Sequence, residues 1–434
     1  MGNWVRSELH LTSEERAMLA GDRGPGVQKA IEIVVALGQI YGAEDLVPVS
    51  SVQVSGVSYK NLGDAGLDFL REWAAQGARA RVPTTLNPAG MDLVDWQRQG
   101  IDEAFARRQK EVIAAFAAMD VTATCTCTPY LIGHEPGFGE HLAWAESSAV
   151  SYANSALGAR TNREGGPGAL AAAITGRTAR YGLHLEANRQ ANYVVDVRCA
   201  VRSVADYGAL GHAVGQRVRQ GIPFFRNLAE PLLTLEQNFC LPIYQSTGLP
   251  DAAVDRLKAL GAAMAASGAV ALYHVEGITP EAIQGDVIAP GAETMVVESL
   301  DEAYAALNGP ADAIDFVGIG CPHASLEEIR QIAEAVAGRR FKATLWVTTA
   351  AQTRQMAGER GWVQTIEAAG GQVVADTCVV VAPVGELGFQ TIATNAGKAA
   401  FYSPGHSGLQ VRFGSLEQCV EAAITGRWEA RRDG

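Results

Sequence analysis

The sequence predicts an α/β protein built around mostly parallel sheets. Three observations carry that expectation. From about Ala252 onward, short β-branched runs alternate with amphipathic helical stretches, the pattern that forces crossover connections and parallel pairing. Across the 434 residues, 48% are apolar and 19% charged, enough to bury more than one core. The chain also carries 47 glycines and many Pro-framed turns, which punctuate compact elements rather than a fibrous or disordered chain.

The elements follow in order. Thr12-Ser13-Glu14-Glu15 reads as a capping box opening a helix that runs through about Leu19. Glycines around Pro25 break it and feed a second helix, VQKAIEIVVALGQIYGA. LVPVSSVQVSGV is valine-rich and alternating, hence a strand; SYKNLGDAGLDFLREWAAQG is a loop and then an amphipathic helix. RARVPTTLNPAGMD reads as a short strand and a rigid loop. VDWQRQGIDEAFARRQKEVIAAFAAMD forms one or two helices. VTATCTCTPYL is β-branched and predicts a strand ending near Cys127. Small-residue helices and Gly-rich turns follow to about Gly176, then a strand at NYVVDVRCAV and a helix at DYGALGHAVGQRVRQG. Residues 221–249 are proline-punctuated and carry no clear pattern. The regular part then reads helix 252–268, strand AVALYHVEG, strand TMVVESL, helix DEAYAALN, strand AIDFVGIG and helix SLEEIRQIAEAVAG. It closes with strand ATLWVTTA, a helical pair over 351–370, strand GQVVADTCVVV and helix SLEQCVEAAITGRW.

The formal net charge of −12 weighs against a nucleic-acid partner and against anionic membrane. AIEIVVALGQIYGA is broken by Glu32 and Gln39 and is too short to span a bilayer. The first twenty residues lack the apolar core of a signal peptide, so a cytoplasmic protein is expected. The seven cysteines include no CxxC pair, which excludes zinc-ribbon and thioredoxin readings and gives no disulfide framework.

Ligands of open α/β sheets bind beyond the carboxyl ends of strands. Cys127, Cys321 and Cys378 are predicted at or near such ends, and Cys321 stands just before a helix start, where a thiolate is favoured. Three thiolates have a particular meaning for an iron–sulfur cluster. Four protein ligands saturate it for electron transfer, whereas three leave one iron open to act as a Lewis acid. A Cys321/His323 nucleophile pair is the competing reading of the same cysteine. Donor-rich loops supply the second theme: Ser58, Tyr59, Lys60 and Asn61; Thr84, Thr85 and Asn87; Asn162, Arg163 and Glu164. Their donors suit an anionic small molecule, with Lys60 and Arg163 as carboxylate partners. His134, His141, His184, His323 and His406 lie in or near these loops, and residues 403–408 (SPGHSG) read as a late Gly-rich turn containing Ser403.

Several blocks together resemble a known family. VSYKNLGDAGLDFL, VPTTLNPAGMD, CTPYLIGHEPGFGEHLAWAESSAVSYANSALGARTNREGG, YGLHLEANR, VGIGCPHASLEEI, ADTCVVVAPV and GKAAFYSPGHSG look like the large, catalytic part of aconitase X. The resemblance spans nearly the whole chain. It implies aconitase-like three-layer α/β/α domains around a central cluster site, divided here as residues 1–285 and a C-terminal domain over 286–434 carrying Cys321 and Cys378. It implies an iron–sulfur hydro-lyase whose cluster is held by Cys127, Cys321 and Cys378, with Cys125 two positions earlier on the same strand and Cys199, Cys240 and Cys419 as structural thiols. Lys60, His184 and Ser403 are the candidate catalytic residues; the Ser, Tyr, Asn, Thr, Arg and Glu residues of the three loops are candidate substrate contacts. The family's small swivelling domain is expected as a separate subunit, which brings part of the site. Both activities known in the family remove a proton α to a carboxylate and expel a β-hydroxyl. The expected substrate is cis-3-hydroxy-L-proline, with mevalonate 5-phosphate as the alternative. A non-catalytic RNA-binding or scaffold role is the reading from another class.

Overall fold

The computed structural model describes residues 9–229, 232 and 248–429. Cys240 lies outside them. Helices α1 (Ser13–Leu19) and α2 (Pro25–Tyr41) lead into β1 (Leu46–Pro48), β2 (Ser51–Val54), α3 (Tyr59–Ala75), β3 (Thr84–Leu86) and α4 (Glu103–Ala117). Then come β4 (Leu142–Trp144), α5 (Ser147–Ser155), α6 (Gly166–Thr175) and β5 (Arg177–Ala179). The capping box forms as expected, with the Glu15 N–H on Thr12 Oγ1 and the Thr12 N–H on Glu15 Oε2. Strands β3, β2 and β4 form a parallel sheet in that order, and β1 pairs antiparallel with β5.

The second unit runs β6 (Ala191–Val197), α7 (Val204–Val218), β7 (Pro223–Arg226), α8 (Asp251–Gly268), β8 (His274–Val275), α9 (Pro280–Gln284), β9 (Ile288–Val297) and α10 (Asp301–Leu307). Its sheet is parallel in the order β8-β7-β6-β9. Because β9 pairs with β6 along most of its length, the expected boundary at residue 285 cuts through this sheet and is corrected. The strand read at AVALYHVEG, residues 269–277, shrinks to two residues.

The third unit runs β10 (Phe316–Ile319), α11 (Leu326–Val336), β11 (Thr344–Thr349), α12 (Ala351–Glu359), α13 (Trp362–Ala368), β12 (Gln372–Ala375), β13 (Thr391–Thr394), α14 (Gly397–Ser407), β14 (Gln410–Phe413) and α15 (Leu416–Thr425). Its five strands are all parallel, ordered β12-β11-β10-β13-β14. Parallel sheets must be covered on both faces, and the period of two makes that visible. Val317, Ile319, Leu345, Val347 and Val373 share a core with α11, α13 and α15. Phe316, Trp346, Val374, Ile392 and Phe413 point the other way, into the core of α7 and α8. That same core receives Leu142, Trp144 and α5 from the first unit. The second unit therefore cements the other two.

The predicted strand at VTATCTCTPYL does not form. Residues 121–128 make a single bridge, Thr122 to Thr85, and Cys125 has φ 43°. The threonines explain this. Thr124 Oγ1 accepts from the Leu86 N–H and donates to the Leu86 carbonyl, taking positions a ladder would use. Residues 403–407 are likewise not a turn but the last turn of α14, closed by Gly408 in the left-handed conformation. Tyr59–Leu62 forms a single helical turn that a kink at Gly63 (φ 63°, ψ −173°) sets off from the rest of α3, and Thr84–Leu86 is strand rather than loop.

Candidate active site

A cavity of about 260 Å³ lies where the carboxyl ends of the first and third sheets meet. Gly56–Ser58 follow β2, Asn87 and Pro88 follow β3, and Glu146 and Ser147 follow β4. From the third sheet, Cys321 and Pro322 follow β10, while Cys378, Val380 and Val381 follow β12. Cys127, from the irregular segment, lines the same cavity. Gly320 explains how Cys321 gets there: its φ is 99°, and a Cβ at this position would sit 2.1 Å from the Thr348 carbonyl oxygen.

Helix α14 supplies one wall. Lys398, Tyr402 and His406 are spaced i, i+4, i+8, so one helix face presents all three to the cavity. Lys398 Nζ contacts Glu146 Oε1 and lies 3.1 Å from Ser147 Oγ. Glu146 also caps α5, accepting from the Ser148 N–H. Burial alone would raise its pKa, but the Lys398 ammonium holds it near about 2. Burial opposes the charge on Lys398 too, and Glu146 and the thiols more than restore it, leaving the amine protonated. Asn87 Nδ2 donates to Glu146 Oε2 at 2.9 Å, and this fixes the amide: a carboxylate accepts only, so the NH₂ must face it. The opposite atom, Asn87 Oδ1, is buried and has no hydrogen-bond partner.

The thiols are buried, and burial pushes Cys127 up to about 12 and raises Cys321 and Cys378 as well. The His323 backbone N–H donates to Cys127 Sγ at 3.2 Å. His323's ring nitrogens are both engaged, with Thr126 Oγ1 and with the Thr377 carbonyl, each at 2.9 Å. It has no nitrogen left to activate Cys321, which removes the geometric basis of a Cys321/His323 nucleophile pair. Among the described residues, no three His, Cys, Asp or Glu side chains converge tightly enough to hold a single metal ion.

Of the residues singled out in the sequence, Ser58, Asn61, Asn87, Arg163, His406 and the three cysteines line the cavity. Others do not, and each has a local occupation. Lys60 is exposed on the first turn of α3. Tyr59 bonds Asp64. Thr84 and Thr85 donate to the Val82 and Val52 carbonyls. Asn162 braces Tyr181 and Leu183. Glu164 accepts from Thr178, and burial lifts it to about 7. His184 stacks against His141 with the two Nδ1 atoms 2.9 Å apart; burial, His141 and nearby arginines push it down to about 3. Ser403 donates back to the Ala399 carbonyl, on the side of α14 away from Lys398. Lys60, His184 and Ser403, expected as catalytic residues, thus do not line this cavity. Cys125 is also corrected: its left-handed backbone turns the thiol into the core of the first unit. Glu146, Ser147, Lys398 and Tyr402 were missed. The spacing Lys398-x3-Tyr402-x3-His406 was the available signal, hidden by reading SPGHSG as a turn.

Family profiles cover nearly all of the chain: Aconitase X first domain over residues 8–187, second domain over 191–305 and third domain over 314–425. The chain belongs to the aconitase X family. A crystal structure of Thermococcus kodakaraensis aconitase X in its holo-form matches with a TM-score of 0.84 and 44% identity, over 96% of this chain and 100% of that one. The phosphomevalonate dehydratase large subunit of Methanothermobacter thermautotrophicus is 51% identical over 404 residues, 93% of this chain and 96% of that protein. The cis-3-hydroxy-L-proline dehydratase of Pseudomonas aeruginosa is 35% identical over 429 residues, 96% of this chain and 70% of that protein. This aconitase X chain is an enzyme of the hydro-lyase class. Among its described residues no helix is long and apolar enough to cross a membrane.

Proposed function

We propose that the chain is the large, catalytic subunit of a phosphomevalonate dehydratase, acting with a small-subunit partner. The observation that carries this is the 51% identity with a phosphomevalonate dehydratase large subunit, against 35% with a cis-3-hydroxy-L-proline dehydratase. The expected preference for hydroxyproline gives way to it. The cavity's charge supports the same choice. Lys398 and Arg163 both line it, and because Glu146 and Lys398 pair with each other, Arg163, which makes no ion pair with a described residue, is the cation left for an anionic group. A phosphate gains from that guanidinium, which the ring ammonium of hydroxyproline cannot use.

The residues present fit an iron–sulfur cluster. Cys127, Cys321 and Cys378 line one cavity, and three thiolates are the donor set that would hold a cluster while leaving one iron open. The His323 N–H and the Lys398 ammonium both favour negative sulfur. Held by these three thiolates, a cluster with one open iron supplies a Lewis acid for the departing hydroxyl. The chain's own residues do the rest. Asn87 Oδ1 accepts from the substrate's hydroxyl, Arg163 pairs with an anionic end, and Lys398 sets a positive field where charge gathers.

The test is to co-express the chain with its small subunit, purify anaerobically and assay both substrates. The preparation is expected to be brown, to contain iron and sulfide, and to favour mevalonate 5-phosphate by at least about 100-fold in kcat/KM. Turnover of cis-3-hydroxy-L-proline alone would overturn the substrate. Full activity from a colourless, iron-free preparation would overturn the cluster.

A further inference from the structure

Cys321 and Cys378 follow β10 and β12, which one sheet holds at a fixed spacing through β11. Cys127 sits in an irregular segment of the first unit, which has no strand in that sheet. Something else must place Cys127 beside the other two. One side chain touches a neighbour of each. His323 stands two residues after Cys321; its Nε2 lies 2.9 Å from the carbonyl oxygen of Thr377, the residue before Cys378. A carbonyl only accepts, so Nε2 carries the proton and Nδ1 is the acceptor. Nδ1 lies 2.9 Å from the hydroxyl of Thr126, the residue before Cys127, which must then donate. The backbone of His323 completes the tie, giving its N–H to Cys127 Sγ and accepting from Lys258 Nζ at 3.1 Å. Lys258 belongs to α8 of the second unit and is pinned by Asp255 and Glu328 at 2.7 and 2.6 Å. Thr126 is anchored in turn, its N–H on the Leu86 carbonyl and its carbonyl taking Gln53 Nε2.

We propose that His323 is the positioning residue that holds the three thiol segments at the spacing a polynuclear metal group needs. The inference rests on the reading that these thiols bind a cluster. An imidazole suits the task because its donor and acceptor point to opposite sides of a rigid ring, so one residue fixes a distance between two strangers. His323 is fully buried, and its ring does no other work.

The experiment uses the full chain and its His323→Ala, His323→Gln and Thr126→Val variants. In the iron-free proteins, alkylation rates of Cys127, Cys321 and Cys378 are followed by mass spectrometry, with buried Cys419 as the internal control. After reconstitution with iron and sulfide, the rate of iron loss to a chelator and the cluster's electron paramagnetic resonance spectrum are recorded. In His323→Ala the three thiols should alkylate at least about tenfold faster while Cys419 does not change. Iron should leave roughly 10–100-fold faster, with an altered spectrum. His323→Gln, whose amide can still donate to the Thr377 carbonyl, should recover part of this. Thr126→Val, nearly isosteric, should fall between. Unchanged thiol rates and unchanged iron loss in both His323→Ala and Thr126→Val would overturn the proposal. So would an equal acceleration of Cys419 in His323→Ala with Thr126→Val unaffected, since that is general loosening. If the unmodified chain takes up no iron, the cluster reading falls, and the alkylation rates still decide whether His323 holds the segments.

Discussion

At the scale of single residues, the site turns on one buried ion pair. Glu146 and Lys398 come from different units, and each is tolerated in the interior only because of the other. Lys398→Met should cost about 3–5 kcal/mol, because it strands a buried carboxylate; adding Glu146→Gln should recover more than half of that, read from urea unfolding of the iron-free chain. The pH dependence follows from the depressed Glu146 pKa. Its stabilising share is complete above its ordinary value of 4.5 and disappears as the pH falls toward about 2. In Lys398→Met the sign reverses: burial lifts the Glu146 pKa above 4.5, so acidification neutralises the stranded carboxylate and narrows the stability gap to the unmodified chain. Arg163 behaves differently because it is exposed. Arg163→Ala should leave the unfolding midpoint within about 0.5 kcal/mol and raise the KM for a phosphorylated substrate roughly 10–100-fold, a charged hydrogen bond's worth. The β-branched runs before Cys321 and Cys378 made their strand ends visible, whereas Cys127, in a segment that forms no strand, was grouped with them by the family resemblance. Lys60, His184 and Ser403 were singled out although none lines the cavity, because a polar side chain near a site and one facing it look alike without the backbone's direction. The Ser403 hydroxyl is consumed by its own helix; His184 Nδ1 meets His141, while its Nε2 is buried with no hydrogen-bond partner.

At the scale of elements, α14 shows what sequence periodicity can and cannot reveal. Its C-terminal turn contains Pro404, Gly405 and Gly408, which argue locally for a loop. The helix persists because tertiary packing decides. Its start is pressed against α7, where a Cβ on Gly397 would lie 2.9 Å from the Gly208 carbonyl oxygen. Backbone meets backbone there, so neither side can yield as a side chain would. Gly397→Ala should therefore cost about 1–3 kcal/mol and displace Lys398, lowering kcat more than the stability loss alone explains; a urea titration paired with steady-state kinetics checks both. The segment 121–128 is the converse case. Its threonines favour a strand by composition, yet the Thr124 hydroxyl binds Leu86 and the Thr126 hydroxyl binds Thr128 and His323, leaving the chain irregular. In the third unit β10, β11, β12, the helical pair and helices α11 and α15 were legible, the last two from the Ser325 and Ser415 capping boxes, whereas β13, α14 and β14 were not read.

At the scale of the whole molecule, the site exists only where two sheets meet, and the second unit's core holds them together. Trp346 is fully buried on the sheet face turned toward that core. Trp346→Ala should cost about 3–5 kcal/mol and loosen the cavity, seen as a lower urea midpoint together with faster iron loss from the reconstituted chain. The unit boundaries were the least legible feature, because β9 follows β8 in sequence but crosses the sheet to join β6 on the far edge. Nothing local in a strand says which neighbour it will choose. The meeting of distant strand ends also has a timetable. Cys127 leaves the ribosome roughly 250 residues before Cys378, and Lys398 later still. At about 5–20 residues per second, the first thiol waits on the order of 10–50 s for its companions. A group held by all three thiols could be seated only once Cys378 has been made, and until then Cys127 depends on a reducing environment to remain a free thiol.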